Sequence, residues 1–283
     1  MFFYSVIIYI ILILVEKTEF NLIQFIKILL PVTFSMWWFA STYFVLYLLH
    51  PFLNRLLNNL NKKNYQGLLI LTVFCWSIIP TFLNSAYESN DLLWFITLYA
   101  IAGYEKKFGF NKIFNIKTYF FLFFLFFLLT YSSSIVFMLL GTKSTFFSSH
   151  VTYFYGQEKI NILLVSLTLF LAFTKLKLKY SKFINIVASA TFGVYLIHDN
   201  FLMRQYLWID LFKNASYQNC LKLIPYSIGV VLLVYIVCTI IDLLRIYTVE
   251  KIYLKFINNN YNVFIQPINV LIRNVSRSIF GKD

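Results

Sequence analysis

The densest group of chemically able side chains lies in TFGVYLIHDNFLMRQYLW, Thr191 to Trp208, where His198, Asp199, Asn200 and Arg204 stand against an aromatic and aliphatic run. A histidine beside a carboxylate can move a proton or hold a hydroxylated substrate. Adjacent helical residues diverge by about 100°, so His198 and Asp199 cannot form a dyad with each other. Tyr195 and Asp199 are four residues apart, as are Asn200 and Arg204, spacings that put each pair on a shared helix face. Two readings follow: a substrate-facing site, or a satisfied polar network that pins the end of a helix. On chemistry alone the second leads.

The other reactive residues are sparse. His50 closes the run WWFASTYFVLYLLH and precedes Pro51, where a helix commonly stops, so it reads as a helix-end or interfacial residue. His150 sits in the polar stretch GTKSTFFSSHVTYF with no acid at hand. Ser132, Ser133 and Ser134 interrupt a phenylalanine and leucine run, and such hydroxyls bond back to their own helix or to a neighbour. Cys75, Cys220 and Cys238 share no close spacing and form neither a metal set nor an evident disulfide framework.

The elements that must position these residues belong to a membrane. Of 283 residues, 60% are hydrophobic, 21% aromatic and 12% charged, against about 25% charged in soluble domains; mean hydropathy is +0.74. The expected fold is all-α, a polytopic membrane helix bundle. A β-barrel would show alternating segments of about ten residues in place of these continuous runs. Eight segments are expected, at roughly 2–15, 32–50, 67–83, 92–104, 118–140, 160–174, 184–204 and 223–244. The first resembles the apolar core of a signal peptide, but without a basic head or a cleavage site it reads as an uncleaved membrane segment.

Loop charge sets the expected orientation. Arg55, Lys62 and Lys63, then Lys106, Lys107, Lys112 and Lys117, then Lys175, Lys177, Lys179 and Lys182 occupy alternate loops, while the loop of Glu88 and Asp91 is acidic and 141–159 sets Lys143 and Lys159 against Glu158. The positive-inside rule then puts both termini in the cytoplasm and the His198 end near the outer face. Residues 1–244 read as the embedded bundle and 245–283 as a basic interfacial and cytoplasmic tail, containing RIYTVEKIYLKF, the asparagines 258–260, Arg273 and Arg277. The formal charge of +13 fits basic loops and anionic lipid headgroups, and nucleic acid is not expected as a partner.

TFGVYLIHDN followed by FLMRQYLW resembles the C-terminal signature of the bacterial acyltransferase-3 family, integral-membrane O-acyltransferases that decorate surface polysaccharides. LLPVTFSMWWFASTYFVLYLLHPFLNRLL (Leu29 to Leu57), LLWFITLYAIAGYEKKF (Leu92 to Phe108) and KINILLVSLTLFLAF (Lys159 to Phe173) are similar in the same order. The resemblance implies a bundle of about ten helices in the bacterial plasma membrane. It implies transfer of an acyl group, usually acetyl, from cytoplasmic acyl-CoA to a hydroxyl of a capsule, exopolysaccharide or lipid-linked glycan, without a metal. Tyr195, His198 and Asp199 match the FGVYLIHD element and become supporting residues, with Trp37, Trp38 and Tyr43 as lining or belt aromatics.

One departure limits the carry-over. The family's proposed catalytic histidine lies in its first membrane helix, after an arginine and an apolar run, and nothing in Met1 to Val15 matches it. His50 belongs to the later LYLL–PFLN element and cannot inherit the role. The expectation is a chain that starts two helices late, a fragment with little or no activity by itself, whose partner would be the missing amino-terminal piece. The rival classes are a polysaccharide transporter or polymerase, and a non-catalytic remnant. Flippases show longer uniform spans, and polymerases a large arginine-bearing outer loop.

Overall fold

A computed structural model of the protein describes residues 1–83, 90–110, 113–217 and 222–261, with 263, 265–267, 269–271 and 274 beyond them. Glu88, Lys112, Cys220, Arg273 and Arg277 of the sequence analysis lie outside the described residues. Among those described, every regular element is helical, in agreement with the all-α expectation. The helices used below are α1 Phe2–Leu14, α2 Leu22–Leu29, α3 Trp38–Asn59, α4 Lys62–Leu83, α5 Asp91–Phe108, α6 Ile116–Gly141, α7 Ile160–Thr174, α8 Lys182–His198, α9 Phe201–Leu211 and α10 Leu223–Asn259.

The expected eight spans become fewer. Among the described residues four helices are long and apolar enough to cross a bilayer: Lys62–Leu83, Ile116–Gly141, the 30-residue stretch Thr145–Thr174, and Leu223–Asn259. The pair α8 and α9 makes a fifth if its 75° bend is counted as one broken span. The rest fall short for definable reasons. At 13 residues, α1 rises only about 20 Å. The second half of α3 carries His50, Asn54 and Arg55, and α5 carries Asp91, Glu105, Lys106 and Lys107. In α10, 37 residues make a rod of about 55 Å, well beyond a hydrocarbon core of about 30 Å. It runs through the expected end at Leu244 by way of a π-helical turn, Ile246–Glu250.

The chain divides into two compact units. One, Trp38–Lys179, contains α3 to α7. Its core gathers Leu46, Leu57, Tyr65, Trp94, Ile101 and Tyr104 between α3, α4 and α5. The Tyr65 hydroxyl reaches the Ala100 carbonyl at 2.9 Å. Gly103 permits this, since a Cβ there would lie 2.7 Å from the phenol oxygen. At one end the Lys107 ammonium donates to the carbonyls of Asn58 and Leu60 at 2.7 and 2.8 Å, filling acceptors that the end of α3 leaves open. At the other, the buried Lys159 donates to the Pro80 carbonyl at 2.7 Å and lies 4.1 Å above the Tyr153 ring.

Helix α3 also corrects the expectation that Pro51 stops it. Proline lacks the N–H that would bond the Tyr47 carbonyl one turn back. The His50 imidazole takes that carbonyl instead, Nδ1 to oxygen 2.9 Å, and the helix continues to Asn59.

The other unit, Met1–Trp37 with Tyr180–Asp283, contains α1, α2, α8, α9 and α10. Here α1 is held along its length: Ser5 donates to the Ile28 carbonyl at 2.8 Å, the Tyr9 hydroxyl accepts from the Asn21 N–H at 2.8 Å, and Lys17 lies over the Tyr206 ring. Its first turn meets α10, as described next.

Candidate functional site

Among the described residues, a buried ionisable cluster is built by α1, α8 and α10. Asp242, on an otherwise apolar stretch of α10, is fully buried at 0% exposure. Its Oδ1 accepts from Tyr4 Oη at 2.5 Å and from Arg245 Nε at 2.6 Å. Arg245 sits one turn along and donates Nη1 to Glu250 Oε2 at 2.6 Å, an approach helped by the π-helical turn between them. The guanidinium stands 5.7 Å from the Tyr4 ring centre.

Two carboxylates thus share one cation in a setting where unpaired charge is expensive. Asp242 Oδ2 makes no hydrogen bond to any described residue. Facing it is Gly193 of α8: a methyl group there would overlap the carboxylate carbon and both its oxygens. The glycine lets α8 and α10 approach with an aspartate between them. A cavity of about 390 Å³ opens beside the network, lined by Phe3, Ser189, Phe192, Leu196 and Ile246 together with the charged groups. Apolar walls with a charged corner suit a small amphiphilic group.

At its other end α8 stops at His198, and the chain bends. Asn200, 1% exposed, is the N-cap of α9, its Oδ1 accepting from the N–H groups of Leu202 and Met203 at 3.0 and 3.4 Å. This corrects the expected Asn200–Arg204 face. The asparagine is spent on the backbone, and Arg204 pairs with Asp199, Nε to Oδ1 3.2 Å. A helix continuous through Asp199 and Asn200 was the premise, and the bend removes it.

His198 Nδ1 lies 2.7 Å from the Val194 carbonyl; a carbonyl only accepts, so Nδ1 carries a proton, and in the neutral form of the ring Nε2 is the acceptor. Tyr195 lies one turn from His198 on the same helix, its ring 6.3 Å from that of Phe192.

Trp37, expected as a lining or belt aromatic, closes this unit and is fully buried; the remaining expected residues stand in the other unit. Trp38 packs edge-on to Phe95 at 6.3 Å, and Tyr43 stacks on Phe39 at 6.4 Å; both are exposed. His150 Nδ1 is 2.7 Å from the Phe146 carbonyl. Ser133 and Ser134 donate to the Thr130 and Val151 carbonyls, each at 2.6 Å. Among the described residues no histidine is paired with a carboxylate.

A buried ion-pair network and a capped helix break both meet α8, whose sequence TFGVYLIHDN supplies the glycine that faces the one and the asparagine that caps the other. The sequence model of the acyltransferase-3 family, described as an acyltransferase domain, matches residues 1–243. The chain belongs to the acyltransferase-3 family. No curated protein and no solved structure matches it. In this acyltransferase Asp242 falls within the matched region, whereas Arg245 and Glu250, which complete its network, follow it.

The Asp242 cluster is the part that sequence reasoning missed. The signal was present, since an aspartate inside the run IVCTIIDLLR, with an arginine at i+3, is costly in a membrane unless it has partners. Tyr4 could not be found that way, because 238 residues separate it from Asp242.

Proposed function

We propose that the chain is a membrane O-acyltransferase that moves an acyl group, acetyl in the first instance, from acyl-CoA to a hydroxyl of a surface polysaccharide or lipid-linked glycan. The observation that carries this reading is the acyltransferase-3 match across residues 1–243. In the proposed topology both termini are cytoplasmic. The lysine-rich loops on that side attract the phosphates of acyl-CoA, and the cavity of about 540 Å³ that includes Asn54, Tyr99, Lys106 and Lys107 offers them a basic wall. The Asp242–Arg245 network fixes α1 against α8 and α10. His198 stands at the outer end of α8, where its Nε2 can accept a hydrogen bond from a sugar hydroxyl.

The three histidines are held by backbone carbonyls one turn back, and among the described residues no carboxylate stands behind any of them. This chain by itself is therefore expected to transfer little. The experiment is transfer of label from radiolabelled acetyl-CoA to polysaccharide in membranes holding either the chain alone or the chain joined to whatever the nucleotides upstream of Met1 encode. Vigorous transfer by the chain alone would refute the expectation about its histidines. No transfer by either form would refute the acyltransferase reading.

A further inference from the structure

The unit that holds α8 has a second opening, remote in sequence from Asp242 and unused by the site above. It is a groove of about 630 Å³ lined by Asn21, Ile23, Gln24 and Lys27 of the α2 region, Phe34, Ser35 and Met36 of the loop that follows, and Phe201 at the start of α9. Three features mark it as built. Helix α2 is fixed to α1 near both ends, through Asn21 to Tyr9 and Ile28 to Ser5. Phe201 is held by the Asn200 cap immediately before it. Ser35 occupies the left-handed region at φ 50°, a conformation that a non-glycine residue adopts at a cost and that recurs at ligand sites.

The chemistry of the lining is that of carbohydrate recognition. Phe34 and Phe201 line it and are 45% and 41% accessible, while Gln24 and Ser35 offer donors and acceptors for hydroxyls. Lys27 is the single ionisable residue of this lining, and among the described residues nothing pairs with its ammonium. Gln24 and Lys27, three apart on α2, share a face. Leu22, Ile23 and Ile26 leave apolar surface exposed around them, so the groove opens where a bilayer surface would lie.

We propose that this groove binds an anionic sugar of the acceptor glycan, its ring against Phe201 and its negative group on Lys27. The inference rests on the acyltransferase reading for what happens next, and on the proposed topology for placing the groove on the outer side with His198. Binding itself requires neither acyl-CoA nor turnover.

The test uses the full chain in nanodiscs of phosphatidylcholine, with trigalacturonate as probe and isomaltotriose as the neutral control, both titrated by calorimetry without acyl-CoA. Trigalacturonate is expected to bind and isomaltotriose to bind more weakly. Lys27→Gln should weaken the acidic probe about fivefold, as loss of an exposed ion pair does, and leave the neutral one unchanged. Phe201→Ala should weaken both by roughly fivefold to tenfold. Lys27 is exposed, so its replacement leaves folding intact. Equal binding of the acidic probe by wild type and Lys27→Gln would overturn the proposal. So would displacement of trigalacturonate by monomeric short-chain phosphatidylglycerol with the nanodisc still of phosphatidylcholine, which would make the groove a lipid headgroup site. Intact binding without acetyl transfer would remove the acyltransferase reading and keep the groove; intact transfer with no binding would do the reverse.

Discussion

Replacing Gly193 by alanine is the sharpest test of how α8 and α10 are held together. In an isolated helix the change is favourable by about 1 kcal/mol, because glycine is a poor helix former. Here the new methyl group would overlap the Asp242 carboxylate, which cannot swing aside while Tyr4 and Arg245 grip the same oxygen at 2.5 and 2.6 Å. Relief requires the helices to part or the network to break, and forcing a methylene into packed structure costs about 1–3 kcal/mol. At about 2–4 °C per kcal/mol for a chain of this general size, Gly193→Ala should lower the melting temperature of the purified protein by roughly 2–12 °C. Asp242→Ala is itself destabilising, since it leaves Arg245 and Tyr4 short of a partner. In that background, however, the obstacle is gone, and Gly193→Ala should be neutral or raise the melting temperature. The two substitutions are thus coupled by about 1–4 kcal/mol. An equal fall in both backgrounds, read by thermal unfolding in detergent or nanodiscs, would refute the reasoning.

Tyr4→Phe removes a hydrogen bond to a buried carboxylate and should cost about 1.5–3 kcal/mol in the same unfolding assay. Asn200→Ala removes the cap of α9 and should cost about 1 kcal/mol, with proteolysis between α8 and α9 becoming faster. His50→Ala leaves the Tyr47 carbonyl without the donor that Pro51 cannot supply; a loss of about 1 kcal/mol is expected, and Pro51→Ala in the same chain should recover it by restoring the N–H. His198→Ala, placed in a form competent for acetyl transfer, should lower transfer without changing membrane insertion or melting temperature, and unchanged transfer would leave His198 a structural residue.

The helical class was legible because continuous apolar runs leave no other way to satisfy a backbone in lipid. Span number was less so: α1, α3 and α5 are helices, but hydropathy treated 13 residues, a polar-ended aromatic helix and a lysine-bearing one as equivalents of α6. The stop at Pro51 was misread because the compensating donor, His50, is a side chain, and standard helix-break rules consider only backbone groups. At His198 the residue types pointed to a polar cluster, yet their pairing depended on a 75° bend that Asn200 creates by capping. The Asp242 network needed a contact between the two ends of the chain, which no local spacing announces.

Helix α10 gives one more consequence. It is one rod from Leu223 to Asn259, and beyond the π-helical turn its exposed Ile252, Tyr253 and Leu254 belong to the same rod that carries Asp242. A load on the Asn259 end is therefore delivered, through the turn at Ile246–Glu250, to the contact between Asp242 and Gly193. Twisting the rod would turn the carboxylate against a surface with no room for a methyl group, so the stiffness of the glycine contact sets how far the end can rotate before Tyr4 is released. Seen mechanically, α10 is a lever whose short arm is the ion pair.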